Sequence, residues 1–124
     1  MPSYAFSKNR RLLKASEFQE VFDGNKVKVS HPKLLILAKP NDCEQSRLGL
    51  VIGKKNVPTA VARNRIKRAV RDTFRQIDFP LPLDIIFLAR KDAGLLSSKE
   101  LNLLLGQSWG RLLQRFDVLE NNNA

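Results

Sequence analysis

Pro58-Thr59-Ala60-Val61-Ala62-Arg63-Asn64-Arg65-Ile66-Lys67-Arg68-Ala69-Val70-Arg71-Asp72-Thr73-Phe74-Arg75-Gln76-Ile77 reads as one amphipathic helix. Pro58-Thr59 introduces it near Ala60, and Phe79-Pro80-Leu81-Pro82 ends it after about Ile77, because proline cannot continue a helix. At 100° per residue from Ile66, the residues Ala62, Ile66, Ala69, Val70, Phe74 and Ile77 fall within an arc of roughly 140°. Asn64, Lys67, Arg68, Arg71 and Arg75 lie nearly opposite, at roughly 100° to 200°. Arg63 and Arg65 flank the apolar stripe on either side. A solvated helix face usually mixes signs to gain i,i+4 pairs. Here Lys67 with Arg71, and Arg71 with Arg75, are like-charge i,i+4 pairs that oppose helix formation unless an anion relieves them.

Outward from this helix the pattern alternates between strands and helices. Ser16-Glu17-Phe18-Gln19 is a capping-box start for a short helix running to about Asp23 and stopping at Gly24. Phe18, Val21 and Phe22 share one of its faces. Leu34 to Ala38 has strand length, with Val27 to Val29 in the same strand or a short one before it. Leu48-Gly49-Leu50-Val51-Ile52-Gly53 is another strand, whose two glycines suggest tight packing or close backbone approach. The strands at Leu34 and Leu48 are expected to pair antiparallel. After the central helix, Asp84 to Ala89 is a further buried strand. Ser97-Ser98-Lys99-Glu100 is a second capping box, opening a helix with Leu101, Leu104, Leu105, Trp109, Leu112, Leu113 and Phe116 on one face. The order α-β-β-β-α-β-α predicts an α+β fold, a two-layer α-β sandwich. The 124 residues suit a single domain, with Met1–Lys14 a basic, poorly structured arm and residues 117–124 a flexible tail.

The net charge of +10 is concentrated. Met1–Lys14 carries +4 and Lys54–Arg75 carries +7, so the remainder is close to neutral. Such clustering implies a polyanionic partner, nucleic acid first and an anionic membrane surface second. The helix's apolar side is needed to cover a sheet, which disfavours the membrane. No apolar run reaches the length of a membrane span. No signal peptide is recognisable, so the cytoplasm is the expected location. With Cys43 and His31 the sole residues of their kinds, a zinc site lacks ligands. Gly53-Lys54-Lys55 lacks the pattern of an NTP-binding loop; its lysines instead extend the phosphate-binding surface onto the helix.

Arg63-Asn64-Arg65-Ile66-Lys67-Arg68 resembles the arginine–asparagine–arginine signature of the bacterial ribonuclease P protein component. Leu12-Leu13, Phe18-Gln19, Val21-Phe22, Arg47-Leu48-Gly49-Leu50, Lys54-Lys55, Phe74-Arg75 and Asp84-Ile85 stand at matching spacings, so the resemblance covers about Leu12 to Phe116. It implies the small subunit of a ribonucleoprotein endonuclease whose RNA subunit is catalytic. That particle removes the 5′ leader of precursor tRNA. The resemblance also implies a left-handed β-α-β crossover, the opposite of the general rule. It assigns Lys54, Lys55, Arg63, Asn64, Arg65, Lys67, Arg68 and Arg71 to the RNA subunit. Phe18 and Phe22 fall in the family's leader cleft, together with the strand position at Leu37, where some members carry an aromatic. Magnesium is expected to be held mainly by the RNA subunit and substrate phosphates. Neither a membrane nor a small-molecule substrate is expected.

Phe18 and Phe22 have a second reading as core residues, which apolar residues at helical spacing usually are. Trp109 lies on an apolar stripe and is read as core, His31 as a loop residue and Cys43 as an unreactive turn residue. Two other functions fit a basic α+β chain: a ribosomal RNA-binding protein, and a protein-only nuclease. The second would need clustered carboxylates or a histidine site, which the sequence does not offer.

Overall fold

A computed structural model describes residues 10–123, with side chains through Phe116. The chain forms α1 (Ala15–Gly24), β1 (Val27–His31), β2 (Leu34–Pro40), β3 (Arg47–Val51), α2 (Ala60–Arg75), β4 (Leu83–Ala89), a 3-10 turn (Ala93–Leu95) and α3 (Ser98–Asn123). The expected element order is present. Val27–His31 is a strand of its own, turning through Pro32-Lys33 to pair antiparallel with β2.

The strands lie in the order β1-β2-β4-β3. This corrects the expected pairing of the Leu34 and Leu48 strands. β4 inserts between them, antiparallel to β2 and parallel to β3. The physical reason is burial. Six of the seven β4 residues are buried, as a strand covered on both faces requires, so β4 takes the centre. β3, α2 and β4 therefore form a β-α-β unit between parallel neighbours.

The sheet separates two apolar layers. Leu34, Ile36 and Ala38 of β2, with Leu83, Ile85, Phe87 and Ala89 of β4, meet α2 and α3 in the main core. Ile66, Val70 and Phe74 are the fully buried residues of α2, as the wheel predicts. Leu101, Leu105, Trp109, Leu112 and Phe116 supply the α3 side. Trp109 is core, and its Nε1–H donates to Thr73 Oγ1 at 2.9 Å, which satisfies the buried indole. On the opposite face α1 covers a smaller cluster of Leu12, Val21, Leu37 and Ile86, joined by Phe18, Leu35 and Leu88.

The α3 start shows the expected reciprocal capping, whereas at α1 the cap is displaced and runs one way. At α3, the Glu100 amide donates to Ser97 Oγ, and the Ser97 amide donates to Glu100 Oε1. At α1 the cap position is Lys14, and Ser16 lies inside the first turn. Glu17 is the acceptor there, taking the Leu13 and Lys14 amides at 2.8 Å each. A glutamate outcompetes a glutamine in this role because a carboxylate is the stronger acceptor and complements the helix dipole.

Arg10, Arg11 and Leu12, expected to belong to a poorly structured arm, pack against the fold, while Leu13 and Lys14 are exposed. The Leu12 amide donates to Leu48 O at 3.0 Å, and Leu12 is buried. The rest of the expected arm, residues 1–9, lies outside the described residues. At the other end the α3 backbone continues to Asn123, into the segment expected as a tail.

Candidate nucleic-acid interface

α2 is set with its apolar stripe on β3 and α3, so its cations face outward. Thr59 caps the helix by accepting the Ala62 amide on Oγ1. Asn64, Arg68 and Arg75 are exposed, as are Lys54 and Lys55 in the preceding loop. Lys67 and Arg71 are half-buried.

The two flanking arginines are held differently from the rest. Arg63 Nη1 donates to Val57 O and Pro58 O, both at 2.9 Å. Arg65 donates through Nη1 to Leu96 O at 2.6 Å and through Nη2 to Gly94 O at 2.8 Å. Both guanidiniums tie loop carbonyls to the helix. Signature residues thus divide into exposed cations and cations that fasten the surrounding loops.

A recess of about 240 Å³ joins the cationic face to α1. Arg11, Lys67 and Arg71 line it beside Leu12, Phe18 and Leu50. Burial pulls the Arg71 guanidinium below its ordinary pKa, and the charges of Arg11 and Arg75 add to this. Burial and Arg75 do the same to Arg10, which lies 4.9 Å above the Phe74 ring. Cations crowded until they repel one another are a surface where an anion gains most. Arg10 and Arg11 therefore join the residues singled out from the sequence. Their signal was the charge of the first fourteen residues, which gave no sign of where the segment packs.

Phe18 lies over Gly49, half-buried. A Cβ at Gly49 would come within 2.6 Å of Phe18 Cε1, so only glycine lets the ring sit this close to the strand. Gly53, by contrast, meets nothing within 4 Å, so tight packing applies to one of the two glycines. Phe22 is 39% exposed and offers an accessible ring, whereas Leu37 is 6% exposed beneath α1. The three cleft positions are thus a partly covered ring, an open ring and a buried floor.

One polar network in this region has no counterpart in the sequence reading. Arg47 grips Asp84 through Nε to Oδ1 at 2.8 Å and Nη2 to Oδ2 at 2.7 Å. Its Nη1 reaches Glu17 Oε2 at 2.8 Å, and Asn41 Nδ2 donates to Asp84 Oδ1 at 2.8 Å. Asp84, 2% exposed, is compensated by this pairing, and the hydrogen bonds to it raise the Arg47 pKa above its usual value. The network pins the start of α1 to β3 and β4, fixing where Phe18 and Phe22 stand.

No described helix is long and apolar enough to cross a membrane. His31 Nδ1 accepts the Lys33 amide within its turn, and Cys43 is exposed.

The comparisons with known proteins agree with one another. The family model described as Ribonuclease P matches residues 6–113. The ribonuclease P protein component of Pseudomonas paraeruginosa is 46% identical over 115 residues, covering 92% of this chain and 85% of the relative. That of a Marinomonas species is 43% identical over 116 residues, covering 93% and 88%. The RNase P protein of Staphylococcus aureus superposes with a TM-score of 0.71 at 28% identity, covering 85% of this chain and 93% of that one. The RNase P protein of Thermotoga maritima gives a TM-score of 0.67 at 27% identity, covering 85% and 96%. With a family model matching residues 6–113, relatives 43–46% identical over nearly its whole length and two solved structures sharing its fold, the chain belongs to the ribonuclease P protein family.

Proposed function

We propose that this chain works as the RNA-binding subunit of a cytoplasmic ribonuclease P particle that removes the 5′ leader of precursor tRNA. In this reading the exposed cations of α2, with Lys54 and Lys55, dock on the catalytic RNA. Phe18 and Phe22 receive the single-stranded leader over the floor that includes Leu37, since aromatic faces stack on bases of any sequence. Lysine and arginine replace condensed counterions between two RNAs, which strengthens substrate affinity and lessens the need for magnesium. The observation that carries the proposal is the continuity of the α2 cations with the aromatic side of α1 through the recess shared by Arg71 and Phe18.

Hydrolysis is assigned to the RNA subunit. Among the described residues no three histidine, cysteine, aspartate or glutamate side chains converge to hold a metal ion. In this reading magnesium is held mainly by the RNA subunit and substrate phosphates.

The test is reconstitution. The full chain is mixed with a bacterial ribonuclease P RNA and a precursor tRNA at low magnesium, and 5′ cleavage is followed. Faster cleavage than by RNA alone is expected. No gain would overturn the proposal in favour of another RNA-binding role, and cleavage by the protein alone would make it a nuclease in its own right.

A further inference from the structure

A second recess, of about 260 Å³, lies at the N-terminal end of α2, away from Phe18. Its walls include Val57 and Leu95, its polar groups Asn56, Thr59 and Asp92, and Gly94 closes one side. The volume is below the roughly 300–1,000 Å³ of sites for drug-sized molecules. It suits one planar heterocycle rather than a larger ligand.

The recess is held in shape from several sides. Arg65 fastens the Gly94 and Leu96 carbonyls. Asn56 Nδ2 donates to Ala89 O at 3.0 Å, tying the loop before α2 to the end of β4. A Cβ on Gly94 would come within 3.1 Å of Val57 Cγ1 and 3.2 Å of Ala62 Cβ, so glycine permits this close approach of loop and helix. Asp92 has φ 67°, the left-handed region, the single non-glycine residue in it among those described. Backbone strain of this kind is held in place by its surroundings and concentrates where a side chain must be aimed.

The Asp92 carboxylate makes no hydrogen bond or ion pair among the described residues. A free carboxylate beside a cationic helix repels phosphate, so the recess is not another phosphate site. A carboxylate accepts and cannot donate. Among the bases, guanine presents two adjacent donors on its Watson–Crick edge, N1–H and the N2 amino group. Adenine and cytosine each pair a donor with an acceptor there, and uracil sets one donor between two acceptors. Only guanine satisfies both carboxylate oxygens, and unstacked bases are commonly read on this edge. Leu95, 79% exposed at the lip, offers an apolar face for the ring. Lys54 and Lys55 stand just before Asn56 in the chain, so a backbone held by these lysines runs close to the recess.

We infer that the recess formed by Asp92, Gly94 and Leu95 against Val57 and the start of α2 binds a single unstacked guanine of the RNA on which the chain docks. The inference rests on the RNA-docking reading above and adds a base-specific contact to an otherwise backbone-directed surface.

The test uses the full chain bound to a bacterial ribonuclease P RNA and probed with kethoxal, which modifies the N1–N2 edge of unpaired guanines. The native chain is expected to protect one unpaired guanine that Asp92→Asn leaves reactive. Asparagine favours the same left-handed backbone, so this variant keeps the loop. Leu95→Ala, at an exposed position, is the second variant and should weaken the same protection. In titrations of the free chain, guanosine monophosphate should bind about tenfold more tightly than adenosine monophosphate, and Asp92→Asn should erase that preference. Filter binding of the whole RNA is read on the same samples. RNA binding with identical kethoxal patterns for the native chain and both variants overturns the pocket and leaves the docking reading standing. No RNA binding by the native chain overturns both.

Discussion

Arg65 and Arg68 are three residues apart on α2 and belong to one signature, yet they should fail in opposite ways. Arg65 is half-buried and makes two charge-assisted hydrogen bonds to the carbonyls of Gly94 and Leu96. A hydrogen bond to a charged group is worth about 1.5–3 kcal/mol. The freed carbonyls regain some water in an alanine variant, so Arg65→Ala should lose about 2 kcal/mol in all. For a chain of this length that is a fall in Tm of roughly 8 °C. Arg68 is exposed and holds no loop, so Arg68→Ala should stay within about 0.5 kcal/mol of the native stability. Its effect belongs in binding: one lost phosphate contact should reduce the slope of log K against log salt by about 1. The assays are thermal denaturation of each variant and RNA binding across a salt series. Arg65→Lys should recover only part of the stability, because an ammonium cannot bridge both carbonyls in the guanidinium's planar geometry. An unchanged melt for Arg65→Ala, or a salt slope that responds to Arg65 and not to Arg68, would refute this division.

Three further outcomes are expected. Gly49→Ala forces a methyl group against the Phe18 ring and should destabilise by about 1–3 kcal/mol; in urea denaturation Phe18→Leu should recover part of that loss, and strict additivity of the two changes would exclude the contact. Asp84→Asn leaves Arg47 without its main partner and should lower stability by about 3 kcal/mol, again read by urea denaturation, with little change if Glu17 alone suffices. Glu17 has its pKa lowered from 4.5, first by the Lys14 amide, then by that of Leu13. Its folded pKa is below its unfolded one, so its contribution is present above about pH 4.5 and disappears as pH falls through the lower folded value. Melting curves of Glu17→Gln should fall below native at pH 6, with the gap shrinking as pH is lowered past 4.5; a constant gap would rule out the linkage.

Periodicity carried most of the architecture. The α2 stripe, the α3 stripe and the Ser97 capping box are local patterns, and each formed as read. The strand pairing was not legible, because β2 and β3 are joined by a short turn that suggests a hairpin, and only the double-sided burial of β4 argues for its central place. Short turns constrain which strands are close in sequence, whereas sheet order is decided by which strand can be covered on both faces. In the site, helical spacing put Arg63 and Arg65 beside the apolar stripe, and that position brings their guanidiniums to the neighbouring loops. Which carbonyls they reach depends on where the segment after β4 folds back, and no pattern in α2 encodes it. The Arg47–Asp84–Glu17 network joins three separate elements and has no local signature. The same holds for the Arg10 contact with Phe74.

The position of β4 governs the timing of assembly. During synthesis β1, β2 and β3 emerge first, but β3 has no strand to pair with until β4, made some thirty residues later, enters between it and β2. Through that interval the α2 segment lacks the β4 and α3 surfaces of the core that Ile66, Val70 and Phe74 share in the finished fold. Long-range pairing of this kind slows folding and lengthens exposure of apolar surface. The nascent chain thus carries its polyanion-seeking helix before it has a core to anchor it. If the proposed docking holds, RNA near that helix would relieve its charge repulsion while the apolar stripe waits for cover.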